Sequence, residues 1–292
     1  MNQLRTAQEY QAAYFRNVPL LEYRTPGFNI VGYSRGAVQT LWHISEFDLL
    51  IDVGANSWDT AAAANLAVTH GHPDHLSGVV SYLSTRQIMK WRPPRIFISK
   101  YYSENLRQML DCWSKLSNES FPVEIIECAA GDRMNLKRNF FLRPFDSVHV
   151  LPTQGYLVEE DRQKLLPELV NATQSELVEL KRNGASITET ETFPVFAFCG
   201  DTQIEVLDRN PQLYEVETLV LECTFVDESV SNLHAGKYGH IHIDSIVERA
   251  ELFKNKILVL SHFSTRWTRR QIIEALEQRI PDCLRERVVL WI

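Results

Sequence analysis

The chain has 292 residues, 45% hydrophobic and 23% charged, with a formal net charge of −7. That length and balance fit an ordinary globular protein with a sizeable core. The acidic balance excludes a protein that coats nucleic acid non-specifically through a basic surface. The longest apolar runs, such as 257–260, have strand length and fall far short of the roughly 20 residues of a membrane span. The amino-terminal stretch lacks the apolar segment of a secretion signal and has little transit-peptide character, so a cytoplasmic location is expected. Five cysteines (Cys112, Cys128, Cys199, Cys223 and Cys283) are scattered without a C-x-x-C pair, which predicts neither a disulfide framework nor a cysteine-held zinc.

In chain order, apolar patterning predicts strands over 28–34, 38–44, 48–54 and 65–70, then a helix over 76–89 stopped by RPPR at 92–95. A strand over 95–99, an amphipathic helix over 103–116 and a strand over 123–127 complete the first half. The second half offers strands over 195–201, 218–225, 256–263 and 287–292, with helices over 243–253 and 269–280. There is no internal sequence repeat and no low-complexity tract. The pattern predicts one α/β domain over 1–292, a layered sandwich with sheets inside and helices outside. Residues 1–25 read as an extension, and 159–190 as a short, charged, helix-prone insertion.

The chemistry concentrates in AVTHGHPDHLSG at 67–78. Histidine is scarce, nine in the whole chain, yet three share six positions with an aspartate. On an extended segment His70 and His72 point to one side and can grip one metal ion. Pro73 turns the chain, and Asp74 and His75 at a helix start can address a second. Imidazole with carboxylate suits zinc and leaves room for water. Two coordination spheres need more donors, and His149, Asp201 and His262 stand at or just after the ends of apolar runs.

THGHPDH, His149 in SVHVLPTQGY, GDT at 200–202 and SHFSTRW at 261–267 resemble the metallo-β-lactamase superfamily, and within it the ribonuclease Z (tRNase Z) family. LECTF at 221–225 and YGHIHIDSI at 238–246 resemble further tRNase Z elements, which add Glu222 and His240. The resemblance runs from about residue 32 to the end and implies a metallo-β-lactamase αββα sandwich. It implies His70, His72 and His149 on one zinc, Asp74, His75 and His262 on a second, and Asp201 bridging, hence two zinc ions per chain. The implied reaction removes the 3′ trailer from precursor tRNA after the discriminator base, leaving a tRNA 3′-hydroxyl. Family members commonly form homodimers. A Gly/Pro-rich flexible arm is missing from 156–199, so the chain is most similar to the short plant-type form.

Two-metal phosphodiester hydrolysis assigns Asp74 to holding and deprotonating the attacking water. The 3′-oxygen is a poor leaving group and needs a proton, assigned to His240 as general acid with Glu222 orienting it. Asp52 reads equally as a partner of a ligating histidine or as a turn former before Gly54. His43, His234 and His242 read as packing or surface residues. Arg266 is placed either on substrate phosphate or in a carboxylate pair, and Lys90 and Arg92 either on an RNA backbone or on a solvated helix end. Two other functions fit the same residues less well: a phosphodiesterase for small or cyclic phosphodiesters, and a catalytically idle RNA- or protein-binding relative.

Overall fold

The computed structural model describes residues 20–292, so most of the expected amino-terminal extension lies outside the described residues. Strands β1 (Leu21–Arg24), β2 (Asn29–Arg35), β3 (Gln39–Ile44), β4 (Leu49–Ile51), β5 (Asn65–Ala67), β6 (Arg95–Ser99) and β7 (Glu124–Cys128) form one sheet in chain order. A second sheet holds β8 (Met134–Lys137), β9 (Phe140–Asp146), β10 (Gln154–Leu165), β11 (Thr188–Phe198), β12 (Thr218–Glu222), β13 (Ile257–Ser261) and β14 (Val288–Leu290). In each sheet the first four strands pair antiparallel and the last four parallel. The two halves thus share one pairing scheme without sharing sequence.

Parallel neighbours need crossover connections, and these supply the outer layers. On the first sheet, α1 (Pro73–Leu76) and α2 (Val79–Ile88) join β5 to β6, and α3 (Lys100–Ser117) joins β6 to β7. The antiparallel β10–β11 connection carries α4 (Gln174–Arg182). On the second sheet the crossovers are α5 (Glu205–Arg209), α6 (Asn232–Lys237) with α7 (Ile243–Val247), and α8 (Arg269–Arg279) with α9 (Asp282–Arg285). Side-chain alternation sorts the layers: Tyr156 and Val158 of β10 enter the core between the sheets with Trp42, Phe97 and Phe196, while Leu157 faces the second helix layer. Tyr82, Leu83 and Leu106 cover the outer face of the first sheet against Leu66, Ile96 and Ile98. The result is the expected αββα sandwich. Among the described residues no helix is long and apolar enough to cross a membrane.

Several predicted elements differ in extent. The helix expected over 76–89 is split into α1 and α2 at Gly78, where the backbone packs on the 53–56 loop so closely that a Cβ would lie 2.7 Å from Val53 O. The helix expected over 243–253 stops at Val247 and resumes only as a single turn, Ala250–Leu252. The largest correction falls in 159–190. Charged residues that read as helix-prone extend β10 to Leu165, and α4 spans only its nine residues. Cross-strand pairing overrides helix propensity there: Arg162 faces Glu191, Lys164 faces Glu189, and Arg162 lies over the Phe193 ring. The resulting arm runs away from Gln154 for roughly 35 Å, from the rise per strand residue.

Candidate active site

Ligands in α/β sheets gather beyond the carboxyl ends of parallel strands, and this chain places its donors there. His70, His72, Asp74 and His75 follow β5, Asp201 follows β11, Glu222 ends β12, and His262 follows β13. His149 comes from the β9–β10 turn at the same edge, tied in by the Gln154 N–H donating to Thr69 O at 3.0 Å. His262 has a left-handed backbone (φ 59°), an uncommon conformation for a non-glycine residue that concentrates at functional sites.

Two donor sets form. His70 Nε2, His72 Nδ1, His149 Nε2 and a carboxylate oxygen of Asp201 all lie within 4.8 Å of one another, with His70 Nε2 2.9 Å from His72 Nδ1 and 3.8 Å from Asp201 Oδ2. Asp74, His75, Asp201 and His262 form the second set. Here Asp201 Oδ1 lies 3.2 Å from both His75 Nε2 and His262 Nε2, and Asp74 Oδ2 lies 3.7 and 3.6 Å from them. Asp201 therefore turns one oxygen to each set. Donor separations near 3.4 Å are about the edge of a tetrahedron with 2.1 Å metal–nitrogen bonds. His75 Nε2 and His262 Nε2 are buried and make no hydrogen bond of proper direction, even to the oxygen 3.2 Å away. A buried polar atom left without a partner is costly, and a cation at the centre of the set is the partner these atoms fit.

Electrostatics agree. Burial, the largest influence, holds His70, His72 and His149 below the ordinary imidazole range against the pull of Asp201, so they are neutral at pH 7 and able to coordinate. Burial works against the charge of Asp201, but His262, His75 and His70 outweigh it and hold the carboxyl well below its usual value. Asp74 is likewise lowered, burial being outweighed by His262 and His75. His75 moves the other way. Burial opposes its proton, and Asp201 and Asp52 more than offset that.

A second ring of contacts fixes these rings. Asp52, fully buried, sets Oδ2 2.7 Å from His75 Nδ1 and accepts from both Thr69 N and Thr69 Oγ1 at 2.8 Å. It also turns the chain with φ 56°, so both readings of Asp52 describe it. Thr69 Oγ1 lies 3.0 Å from His70 Nδ1, Thr224 Oγ1 lies 3.1 Å from His262 Nδ1, and the Ala37 N–H donates to Asp74 Oδ2 at 2.9 Å. Such partners set tautomer and orientation. Sequence reading assigns no role to Thr69, Thr224 or Ala37; a threonine within two positions of a named site residue (THGH, ECTF) was the available signal for the first two.

Beside both sets stands a His–carboxylate pair. Glu222, 1% exposed, places Oε1 2.7 Å from His240 Nδ1 and accepts from Thr202 N at 2.8 Å and Ile241 N at 3.2 Å. The His240 ring lies 5.1 Å from that of His149 and 5.4 Å from that of His262. Burial opposes the His240 proton, but the charge and hydrogen bond of Glu222 win, and its pKa is pushed up to about 9. A cavity of about 200 Å³ opens beside His240 and His262, lined also by Phe225, Tyr238 and Arg266.

The basic residues separate. Arg266 is at the site, its guanidinium 5.9 Å from the Phe225 ring centre. Lys90 and Arg92 are not brought there. They follow α2, which runs away from the site, and precede β6, whose Arg95 pairs with Asn65 at the start of β5. Their neighbourhood is structural, with Arg92 O accepting from the buried Arg86 at 2.9 Å. His242 caps α7, accepting from Asp244 N, and donates to Asp227 O at 2.9 Å; His234 meets Tyr238 edge to face, and His43 lies within β3.

Comparison with known proteins fits this geometry. The sequence model of the family described as "Beta-lactamase superfamily domain" matches residues 54–263. The chloroplastic tRNase Z TRZ2 of Arabidopsis thaliana is 33% identical over 251 residues, 85% of this chain and 71% of that protein. The tRNase Z TRZ1 of the same plant is 32% identical over 264 residues, covering 90% of this chain and 94% of its own. The crystal structure of human short-form tRNase Z superposes with a TM-score of 0.52 at 16% identity, over 98% of this chain and 93% of that one, which shows the shared fold. The chain belongs to the tRNase Z family of the metallo-β-lactamase superfamily.

Proposed function

We propose that this protein is a metal-dependent endoribonuclease that removes the 3′ trailer from precursor tRNA and leaves a tRNA 3′-hydroxyl. The observation that carries the reading is His240 held at 2.7 Å by the buried Glu222 carboxylate beside the Asp201-centred donor sets, in a chain of the tRNase Z family. His70, His72, His149 and Asp201 would hold one divalent cation, and Asp74, His75, His262 and Asp201 a second. The nitrogen-rich donor chemistry favours zinc. When bound, such ions polarise a phosphoryl oxygen and acidify water.

The chain's own groups do the rest. Asp74 holds the attacking water and accepts its proton, with Oδ2 oriented by the Ala37 amide at 2.9 Å. His240 keeps Nδ1 on Glu222, so Nε2 is the nitrogen that delivers a proton to the departing 3′-oxygen. Glu222 keeps that imidazole charged and fixes its orientation, as a buried carboxylate does for a histidine in other hydrolases. Arg266, which lines the adjoining cavity, would meet substrate phosphate. The arm over 159–190 carries seven acidic and four basic residues, so it does not supply a basic grip on RNA.

The test pairs two substrates. Trailer-bearing precursor tRNA and bis(4-nitrophenyl) phosphate are each incubated with protein of measured metal content. A single cut at the discriminator supports the reading. Fast turnover of the aryl ester without that cut would replace it with a small-phosphodiester hydrolase. Close to two zinc ions per chain are expected.

A further inference from the structure

The peptide unit joining Gly239 to His240 is held at both ends. Its carbonyl accepts from His149 Nδ1 at 2.8 Å, and its N–H donates to Ala235 O at 3.1 Å. One residue of that unit is thus hydrogen-bonded to a candidate metal donor, and the next is the candidate general acid. Position 239 admits only glycine: φ is +77°, and a Cβ would lie 2.6 Å from His149 Nδ1 and 2.9 Å from Val150 N. The segment leading to it is thinly anchored. Within α6 only Ala235 is buried, Leu233 is 87% exposed, and the helix is a six-residue turn capped by Ser231.

Tautomer chemistry links the two histidines. A neutral imidazole carries one proton, and a ring engaged through Nε2 must carry it on Nδ1. That is the tautomer the Gly239 carbonyl requires. With Nε2 disengaged, the ring also samples the other tautomer, in which the Nδ1 lone pair and the carbonyl oxygen repel. We infer that Gly239 is a positioning residue that couples occupancy of the His149 donor set to the placement of His240. Filling the first set locks the His149 tautomer, the Gly239 carbonyl docks, and the 232–240 segment sets His240 against Glu222. The inference rests on the roles proposed above for His149 and His240.

The test is amide hydrogen–deuterium exchange of the full chain, metal-stripped and zinc-reloaded. Loading is expected to slow exchange across 232–242 by about tenfold, roughly the worth of one hydrogen bond, while β1 and β2 stay unchanged. Gly239→Ala, whose Cβ would press on the His149 ring, is compared at excess zinc with its bound metal measured, and should lose that loading-dependent protection. Its kcat should fall about 100-fold with KM little altered, the signature of a misplaced group and not of lost binding. If Gly239→Ala does not fold, the wild-type comparison decides alone. Unchanged exchange across 232–242 on loading, or full loading-dependent protection in a folded Gly239→Ala protein, overturns the inference. Protection on loading without any cleavage of precursor tRNA supports it, while removing the proposed substrate.

Discussion

Replacing Glu222 by glutamine removes one charge from the interior and tests how His240 is kept acidic. In the wild type, Glu222 offsets burial and raises His240 from 6.5 to about 9. Glutamine keeps an oxygen for Thr202 N or Ile241 N but removes the charge, leaving burial to pull the imidazole back down toward 6.5 against the remaining pull of Asp201 and Asp74. At pH 8 a histidine titrating near 9 is about nine-tenths protonated, and one at 6.5 about 3%, a roughly 30-fold loss of the active acid. Cations at the neighbouring donor sets act on both proteins alike, so the separation between the two pH profiles carries the test. The assay is kcat against pH on saturating precursor tRNA, with bis(4-nitrophenyl) phosphate as control, because a nitrophenolate leaves without a proton. Glu222→Gln should move the alkaline limb of the tRNA profile down by up to about two units and spare the aryl ester. An unshifted limb, or an equal loss on both substrates, would refute the general-acid role. His240→Ala should behave as the limiting case, losing about 10²–10⁴-fold on tRNA with metal content unchanged.

Other expectations follow from the same geometry. The Glu222–His240 pair also stabilises the fold: because the folded pKa of His240 is raised, its contribution, about 3 kcal/mol from the shift, is complete below 6.5 and fades as pH rises through about 9. The difference in Tm between wild type and Glu222→Gln should therefore shrink over that interval, and a constant difference would contradict it. Chelation should lower Tm and zinc should restore it, since ions that bind only the folded chain stabilise by mass action; a Tm indifferent to chelator would mean the donor sets hold no ion. Ala37, at φ 59° with its amide on Asp74, should accept glycine with unchanged metal affinity and a stability gain of at most about 1 kcal/mol; denaturant titration and metal competition read both. Trp42→Ala should cost about 3–5 kcal/mol. Trp42→Phe should cost clearly less, because the buried indole N–H has no acceptor to lose, and equal costs in urea unfolding would contradict that.

How much was legible follows from the length scale of each feature. The αββα class and most buried strands came from apolar runs such as ILVL at 257–260, where local burial and strand geometry agree. The donors in THGHPDH were legible because they lie within six positions of one another. His149, Asp201 and His262 were legible as candidates at the ends of apolar runs, where a single residue carries little local signal, and their ligand roles, like Glu222 and His240 themselves, came through the family resemblance. The two readings of Lys90 and Arg92 stayed open in the sequence because a cluster of basic residues beside a tryptophan reads the same whichever edge of a sheet it occupies.

By itself, then, the sequence determined what is local: two α/β halves, a histidine-rich turn after a strand, no disulfide framework, and an acidic chain. Tertiary structure alone decided what depends on pairing and approach. Register across β10 and β11 turned a helix-prone segment into a strand-built arm, because cross-strand charges and Phe193 outweigh propensity. The meeting of two sheets at one edge set the two oxygens of Asp201 between histidines from three different connections. It also brought the Gly239 carbonyl to His149 across 90 residues of chain, a contact no local pattern encodes, because it exists only where two loops are folded into hydrogen-bond range.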